Sequence, residues 1–306
     1  MYIKQYSASK LRSINLATLF PSKYVNIIVG NNNAGKTSLI EGIYYCSSLK
    51  SFKAVPTETL IQKNENSFKL LLKVVKCGED LDIYAEKPLN SPKTSKVNDK
   101  RVTAKTLLLT LPCIALSFGV ENIIIQAGEQ RRGFLDWGSF HVEPNHLTNF
   151  KNYTKSLKQR NSLLKKSDTT NIDYWTQEVF KHGLLVHNQR NQYFLDLNKE
   201  FISYTDKLTS FDKSVYADIK NTTINYYKGW EDNLGLEESL ANALNKDKVI
   251  KHTSVGPHRA DLLFNTNKTD LKDISSMSTQ IIISLLLVLS QAEVFHVKHG
   301  FRPVIL

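Results

Sequence analysis

Cysteine is scarce in this 306-residue chain, and its three copies, Cys46, Cys77 and Cys113, stand far apart. They form no metal-ligand spacing, and an odd, scattered count argues against a disulfide framework and for a reducing compartment. Long hydrophobic runs are also missing. The most apolar stretch, Ile281 to Leu289, is well short of the ~18–20 residues that cross a bilayer, so it is expected to be a buried helix. The opening "MYIKQYSASKLRSINLATLF" lacks the apolar core of a signal peptide. There is no internal repeat and no low-complexity tract. Acidic residues are few relative to basic ones: 29 Asp and Glu face 40 Lys and Arg, a net charge of +11. Such a surplus points to a polyanionic partner, namely nucleic acid, an acidic membrane surface or a phosphate-bearing ligand.

What is present is most specific near the start. "IIVGNNNAGKTSLIEGIYY" contains Gly30, Asn31, Asn32, Asn33, Ala34, Gly35, Lys36 and Thr37, followed by Ser38. The spacing is G-x-x-x-x-G-K-S/T, the signature of a nucleotide phosphate loop. Its flanks fit. "YVNIIVG" is β-branched and apolar, which predicts a strand buried on both faces, and "SLIEGIYYCSSL" has helical spacing. Gly30 and Gly35 let the backbone curl so that N–H groups converge on phosphate oxygens, and the helix N-terminus adds partial positive charge. Asparagine tolerates left-handed dihedrals where glycine often stands. Lys36 is expected to reach the β- and γ-phosphates of ATP, and the Thr37 hydroxyl to ligate Mg²⁺. Arg12, in the preceding strand pair, is the one cation there that could return to the phosphates.

Downstream, "FKLLLKVVK", "DLDIYAE" and "SKVNDKRVTAK" read as strands, with Asn98-Asp99 as a hairpin turn. Lys93, Lys96, Lys100, Arg101 and Lys105 cluster there; they could grip phosphates or protect a solvated sheet edge. Between Arg131 and Lys166, eight cations (Arg131, Arg132, Lys151, Lys155, Lys158, Arg160, Lys165, Lys166) oppose only Asp136 and Glu143. That concentration predicts a nucleic-acid footprint, with Arg131, Arg132, Lys155, Lys158 and Arg160 as DNA contacts. Residues 147–208 have helical periodicity with a polar break near residue 169, as in a long helical hairpin, and "INYYKGWEDN" returns to strand-like text.

Taken with the phosphate loop, "QRRGFLDWGSFHVEPNHL", "LKQRNSLLKK" and "TSVGPHRADLLF" resemble one family along essentially the whole chain: RecF, the bacterial recombination and repair ATPases related to SMC and Rad50. The resemblance implies an α/β, ABC-type ATPase head, a mixed sheet with helices, carrying an inserted helical arm. The corresponding divisions are 1–145, an N-terminal lobe with the nucleotide loop; 146–210, the arm; and 211–306, the second part of the head. It further implies a cytoplasmic protein in which ATP is held between two heads of a homodimer. The family binds DNA at single-strand gaps, helps RecA load together with RecR and RecO, and supports fork restart and the SOS response. Arg12, in "LRS", matches a family arginine near the phosphates, and Ser276 matches the signature serine that meets ATP from the partner head.

Two departures stand out. In "SSMSTQ", Ser278 and Thr279 replace the glycine and glutamine of the family's signature, and Ser275 and Ser276 also have the character of a helix N-cap. "RPVIL" resembles the start of the strand that carries the magnesium-binding carboxylates, and the chain ends before them. The expectation is therefore weak hydrolysis at best, with no catalytic residue assignable. The alternative is a non-hydrolysing DNA-binding relative whose phosphate loop is structural. His258 and Asp261 are expected to be structural or interface residues.

Overall fold

The computed structural model describes residues 1–53, 55–115, 123–166, 170–211 and 217–306. Its elements run β1 (Tyr2–Leu11), β2 (Ile14–Leu19), α1 (Lys36–Ser48), β3 (Ser67–Lys76), β4 (Glu79–Pro88), β5 (Thr94–Val97), β6 (Lys100–Arg101), α2 (Ala104–Thr110) and β7 (Cys113–Ile114). There follow α3 (Gly128–Val142), α4 (His146–Lys166), α5 (Ile172–Phe211), α6 (Ala217–Lys220), β8 (Thr222–Tyr227), α7 (Leu236–Ile250), β9 (Asp261–Thr266), β10 (Thr269–Asp270), α8 (Leu271–Ile274), α9 (Met277–His299) and β11 (Val304–Ile305). Two compact units result: Met1–Leu116 with His299–Leu306, and Ser117–Lys298.

The first unit is built on an antiparallel sheet in the order β2-β1-β3-β4-β5-β6. Strict alternation makes it. Phe68, Leu70, Leu72 and Val74 of β3 face inward while Lys69 and Lys73 face water. Each such burial contributes roughly 1.5–3 kcal/mol. The hairpin turns sit where short polar residues or glycine accept left-handed dihedrals, at Cys77-Gly78 and at the anticipated Asn98-Asp99. Helix α1 lies on the buried face, with Tyr45 edge-on to Phe68 at 4.9 Å between ring centres. Gly42 permits that approach, since a Cβ there would stand 2.0 Å from the Tyr6 hydroxyl. Strand β7 pairs in parallel with β11.

One expectation fails here. Residues 24–30 are not a strand buried on both faces: they form no ladder, and Tyr24 is 90% and Val29 82% exposed. A doubly buried strand needs a hydrogen-bonding neighbour on each side. The antiparallel sheet ends at β2, and the described parallel pairing is the short β7–β11 ladder. Local bonds compete as well, because the Asn26 amide donates to Ser22 O and its Oδ1 accepts from Ser22 N, closing a loop within the segment.

In the second unit α4 and α5 run antiparallel, as His146 to Gln189 and Arg160 to Thr176 contacts show. The polar break anticipated near residue 169 lies outside the described residues. A three-stranded antiparallel sheet, β10-β9-β8, contributes Ile224, Leu262 and Phe264 to a core shared with Leu135, Tyr193, Leu197 and Ile283. Helix α3 packs on α5 because Gly138 has no side chain; a Cβ would lie 1.9 Å from the Tyr193 ring. Helix α9 extends beyond the stretch Ile281 to Leu289 and is long and apolar enough to cross a membrane, but most of its apolar stretch is buried inside the protein. Gln280, Ser284, Ser290 and Gln291 lie on its buried surface, which identifies a core helix.

Candidate nucleotide and nucleic-acid sites

The loop Gly30–Gly35 runs into α1 through backbone that side chains resist. Gly30 has φ 155°, Asn33 φ 63° and Gly35 φ 88°. Asparagine at 33 takes the left-handed conformation as anticipated. At Gly35 a Cβ would come within 3.1 Å of Ile14 and 3.2 Å of Ser13 Oγ, so the turn between β1 and β2 abuts the loop directly. Ala34 N donates to Asn31 O at 3.2 Å, tightening the curl.

Helix α1 opens with no acidic residue in its first turn and no side-chain cap. Its leading N–H groups and the positive end of its dipole are thus arranged for an anion. Lys36 folds over the loop, its Nζ donating to Gly30 O at 2.8 Å and Asn31 O at 2.7 Å. Thr37 is exposed and Ser38 buried beside it. The donor set, one lysine and a row of main-chain amides, matches a polyphosphate, and the Thr37 hydroxyl offers the oxygen that Mg²⁺ takes. Asn31, Asn32 and Ala34 are exposed along the loop.

Arg12 lies in the β1–β2 turn, with φ 50°. Its Nη2 donates to Glu41 Oε1 at 3.0 Å, and its Nε stands 2.9 Å from Oε2. Glu41, a residue of α1, was not singled out by the sequence motifs. The available signal was a carboxylate inside "LIEGIYY", an otherwise apolar helical face, where an acid survives only if paired.

In the second unit the expected DNA cations divide. Lys155 and Lys158 are exposed on α4, as is Lys151. Arg160 is not a surface cation, which corrects the reading from charge density. Its side chain is 0% exposed and its guanidinium is consumed by Asp247 at 2.7 Å, Thr253 at 2.7 Å and Thr176 at 2.9 Å. Arg131 is largely occupied too, gripping Asp261 through two bonds of 2.6 and 2.7 Å and also Gln126 O. Arg132 donates to Ala260 O at 2.9 Å. Density of charge along a sequence carries no information on which face, or which interior, each residue occupies.

These bonds give the distinctive motifs a physical role. Arg190, not picked out by pattern, clasps Asp136 at 2.7 and 2.9 Å and donates to Pro257 O at 2.6 Å. Burial alone would raise the Asp136 carboxyl, but Arg190 and His146 outweigh it and hold it below the usual range. His258 donates from Nε2 to Thr253 O at 3.0 Å, so its Nδ1 accepts from the Tyr153 hydroxyl at 2.7 Å. Burial, assisted by Arg259 and Arg132, pushes this imidazole down to about 4. "QRRGFLD", "LKQRN" and "GPHRAD" are thereby knitted together through partly and fully buried polar bonds.

Ser276 Oγ accepts from Thr279 N at 3.2 Å and pairs with Thr279 Oγ1 at 3.0 Å, capping α9 while staying exposed. Ser278, at the position of the family's glycine, is exposed. The basic hairpin ends the first unit's sheet: Lys100 and Arg101 are exposed on its edge, Lys93 donates to Leu49 O at 2.9 Å, and Lys96 lies over the Tyr84 ring.

Comparison with known proteins agrees with the motifs. The chain is 28% identical over 312 residues to the DNA replication and repair protein RecF of Xanthomonas euvesicatoria pv. vesicatoria, spanning 100% of this chain and 83% of that relative. It is 28% identical over 307 residues to the RecF of Coxiella burnetii, spanning 100% of this chain and 84% of the relative. A solved structure of the recombination mediator protein RecF with ATP, from the RecFOR pathway, superposes with a TM-score of 0.85 at 25% identity, covering 99% of this chain and 83% of that one. The Smc head domain of Pyrococcus furiosus shares the fold, with a TM-score of 0.52 at 13% identity over 99% of this chain and 88% of its own. No protein-family model matches the chain. The RecF resemblance thus holds over the full length, and the α/β ABC-type head is the fold.

Proposed function

We propose that this RecF-like chain is an ATP-dependent DNA-binding protein of bacterial recombinational repair. The observation that carries the reading is the Gly30–Thr37 loop: strained backbone, a lysine folded over it and an uncapped helix N-terminus, all in the first unit. ATP would lie along this loop, with Lys36 at its terminal phosphates, Thr37 holding Mg²⁺ and Arg12 alongside. The bound ion would supply charge neutralisation at the phosphates. The relatives are named as DNA replication and repair proteins, and an ATP-bound RecF shares the fold.

On this reading two copies pair around nucleotide, each offering its Ser276 hydroxyl to the other's ATP. Exposed lysines such as Lys155 and Lys158 contact phosphates of duplex DNA beside single-strand gaps, without base preference. RecO and RecR are the partners suggested by the RecFOR relative. Assistance to RecA loading, SOS induction and a cytoplasmic location follow from the same resemblance.

Lys36→Ala tests the core of the proposal. Titration with a fluorescent ATP analogue and Mg²⁺ should show affinity weakened by roughly tenfold or more, since a charged donor to phosphate is lost. DNA binding should lose its response to ATP. Unchanged nucleotide affinity, or DNA binding that ignores ATP in the unsubstituted protein, would leave a DNA-binding relative with a structural loop.

A further inference from the structure

Arg12 is held in the turn whose next residues, Ser13 and Ile14, abut Gly35 of the nucleotide loop. Its backbone is pinned in a left-handed turn, with its N–H donating to Leu60 O at 2.7 Å. Its side chain is held by Glu41, whose Oε1 accepts from Nη2 at 3.0 Å while Oε2 stands 2.9 Å from Nε as an ion-pair contact, and Nη1 has no hydrogen-bond partner among the described residues. Glu41 lies four residues beyond Thr37 and so on the same face of α1. Side chains on a helix lean toward its N-terminus, which brings the carboxylate, and the guanidinium it holds, toward the helix's first turn. The Ser51 hydroxyl also donates to this carboxylate. Ser13, the next residue of the turn, abuts Gly35 of the loop.

The pair is asymmetric. Glu41 is 0% exposed and the Arg12 side chain 29%. A buried carboxylate is costly, and an apolar residue of similar volume would hold α1 on the sheet as well or better. Packing does not account for the acid, whereas orientation of Arg12 does. We propose that Glu41 is a positioning residue of the nucleotide site, fixing the Arg12 guanidinium so that its open edge meets a nucleotide's phosphates. This rests on the proposed binding of nucleotide by the Gly30–Thr37 loop.

Two roles for Glu41 have opposite signs. As a mere charge near the phosphates it repels them, and its removal would tighten binding. As the holder of Arg12 it supports them, and its removal would weaken binding. The test is ATP-analogue affinity at fixed Mg²⁺ for Arg12→Gln, Glu41→Gln, the double variant and Lys36→Ala. Arg12→Gln and Glu41→Gln should each weaken binding by roughly tenfold, the scale of one charge-assisted hydrogen bond. The double variant should bind like Arg12→Gln alone, since Glu41 acts only through that arginine. Tighter or unchanged binding by Glu41→Gln overturns the proposal. So does a double variant that binds more tightly than Arg12→Gln, or one whose loss is the product of the two singles. If Arg12→Gln does not fold, because it leaves the Glu41 carboxylate buried and uncompensated, the comparison of Glu41→Gln with the double variant decides: neither carries that charge, the two should bind alike, and a further loss in the double variant overturns the proposal. Loss in Lys36→Ala with none in the Arg12 and Glu41 variants sinks this inference alone. No loss in Lys36→Ala removes the nucleotide reading itself.

Discussion

At the scale of single residues, the same kind of charge in one stretch does opposite work. Lys158 and Arg160 are two positions apart on α4, yet one faces water and the other is sealed against Asp247. Arg160→Ala should destabilise the protein by about 3–5 kcal/mol, because Asp247 is left buried and uncompensated. It should leave the salt dependence of DNA binding unchanged, measured on protein that remains folded. Lys155→Ala with Lys158→Ala should do the reverse: little change in the unfolding midpoint, and a salt slope shallower by roughly one for each phosphate no longer neutralised. A double lysine variant with an unaltered slope would move the footprint elsewhere, with the exposed Lys100–Arg101 hairpin the next surface to test.

Single elements inherit their behaviour from such bonds. The short turn Pro257–Arg259 is tied down by Arg190 at Pro257 O, by Tyr153 and Thr253 at His258, and by Arg132 at Ala260 O. His258 is neutral there, with its pKa lowered to about 4, whereas an unfolded histidine titrates near its ordinary 6.5. Below the ordinary value the unfolded chain takes up a proton that the folded imidazole refuses. Stability from this group is therefore complete above about pH 6.5 and is lost as pH falls from there toward about 4. Thermal midpoints of the protein should drop across that window, and His258→Gln should shrink the drop. An equally steep fall in the variant would assign it to other groups, His187 first, whose burial also lowers it to about 4. How much of each element was readable follows from the range of its contacts. Strands β3, β4 and β5, the Asn98-Asp99 turn and the phosphate loop depend on neighbours in sequence, and their alternation or spacing revealed them. Residues 24–30 looked like a buried strand because composition records apolarity, not whether partner strands exist on both sides.

For the whole molecule, the proposed unit of action is a pair of chains. Sedimentation should show a monomer without nucleotide and a dimer with ATP and Mg²⁺. Lys36→Ala should remain monomeric throughout. Ser276→Arg should bind the ATP analogue normally as a monomer but fail to dimerise, because a bulky cation replaces the hydroxyl that would meet the partner's phosphate. Dimerisation of Ser276→Arg equal to that of the unsubstituted protein would remove the serine from the interface.

The sequence by itself determined the nucleotide loop, the RecF resemblance and the alternating strands of the first unit's sheet. Each is written in residues within a few positions of one another, where backbone dihedrals and side-chain period are set locally. Tertiary structure alone decided the use of the charges. It turned Arg131 and Arg160 inward against Asp261 and Asp247, recruited Arg190 to Asp136, joined Arg12 to Glu41 across 29 residues and left Tyr24–Val29 without a ladder. The reason is that desolvation and pairing depend on what chain folding brings within a few ångströms, and partners this distant in sequence leave no periodic trace in it.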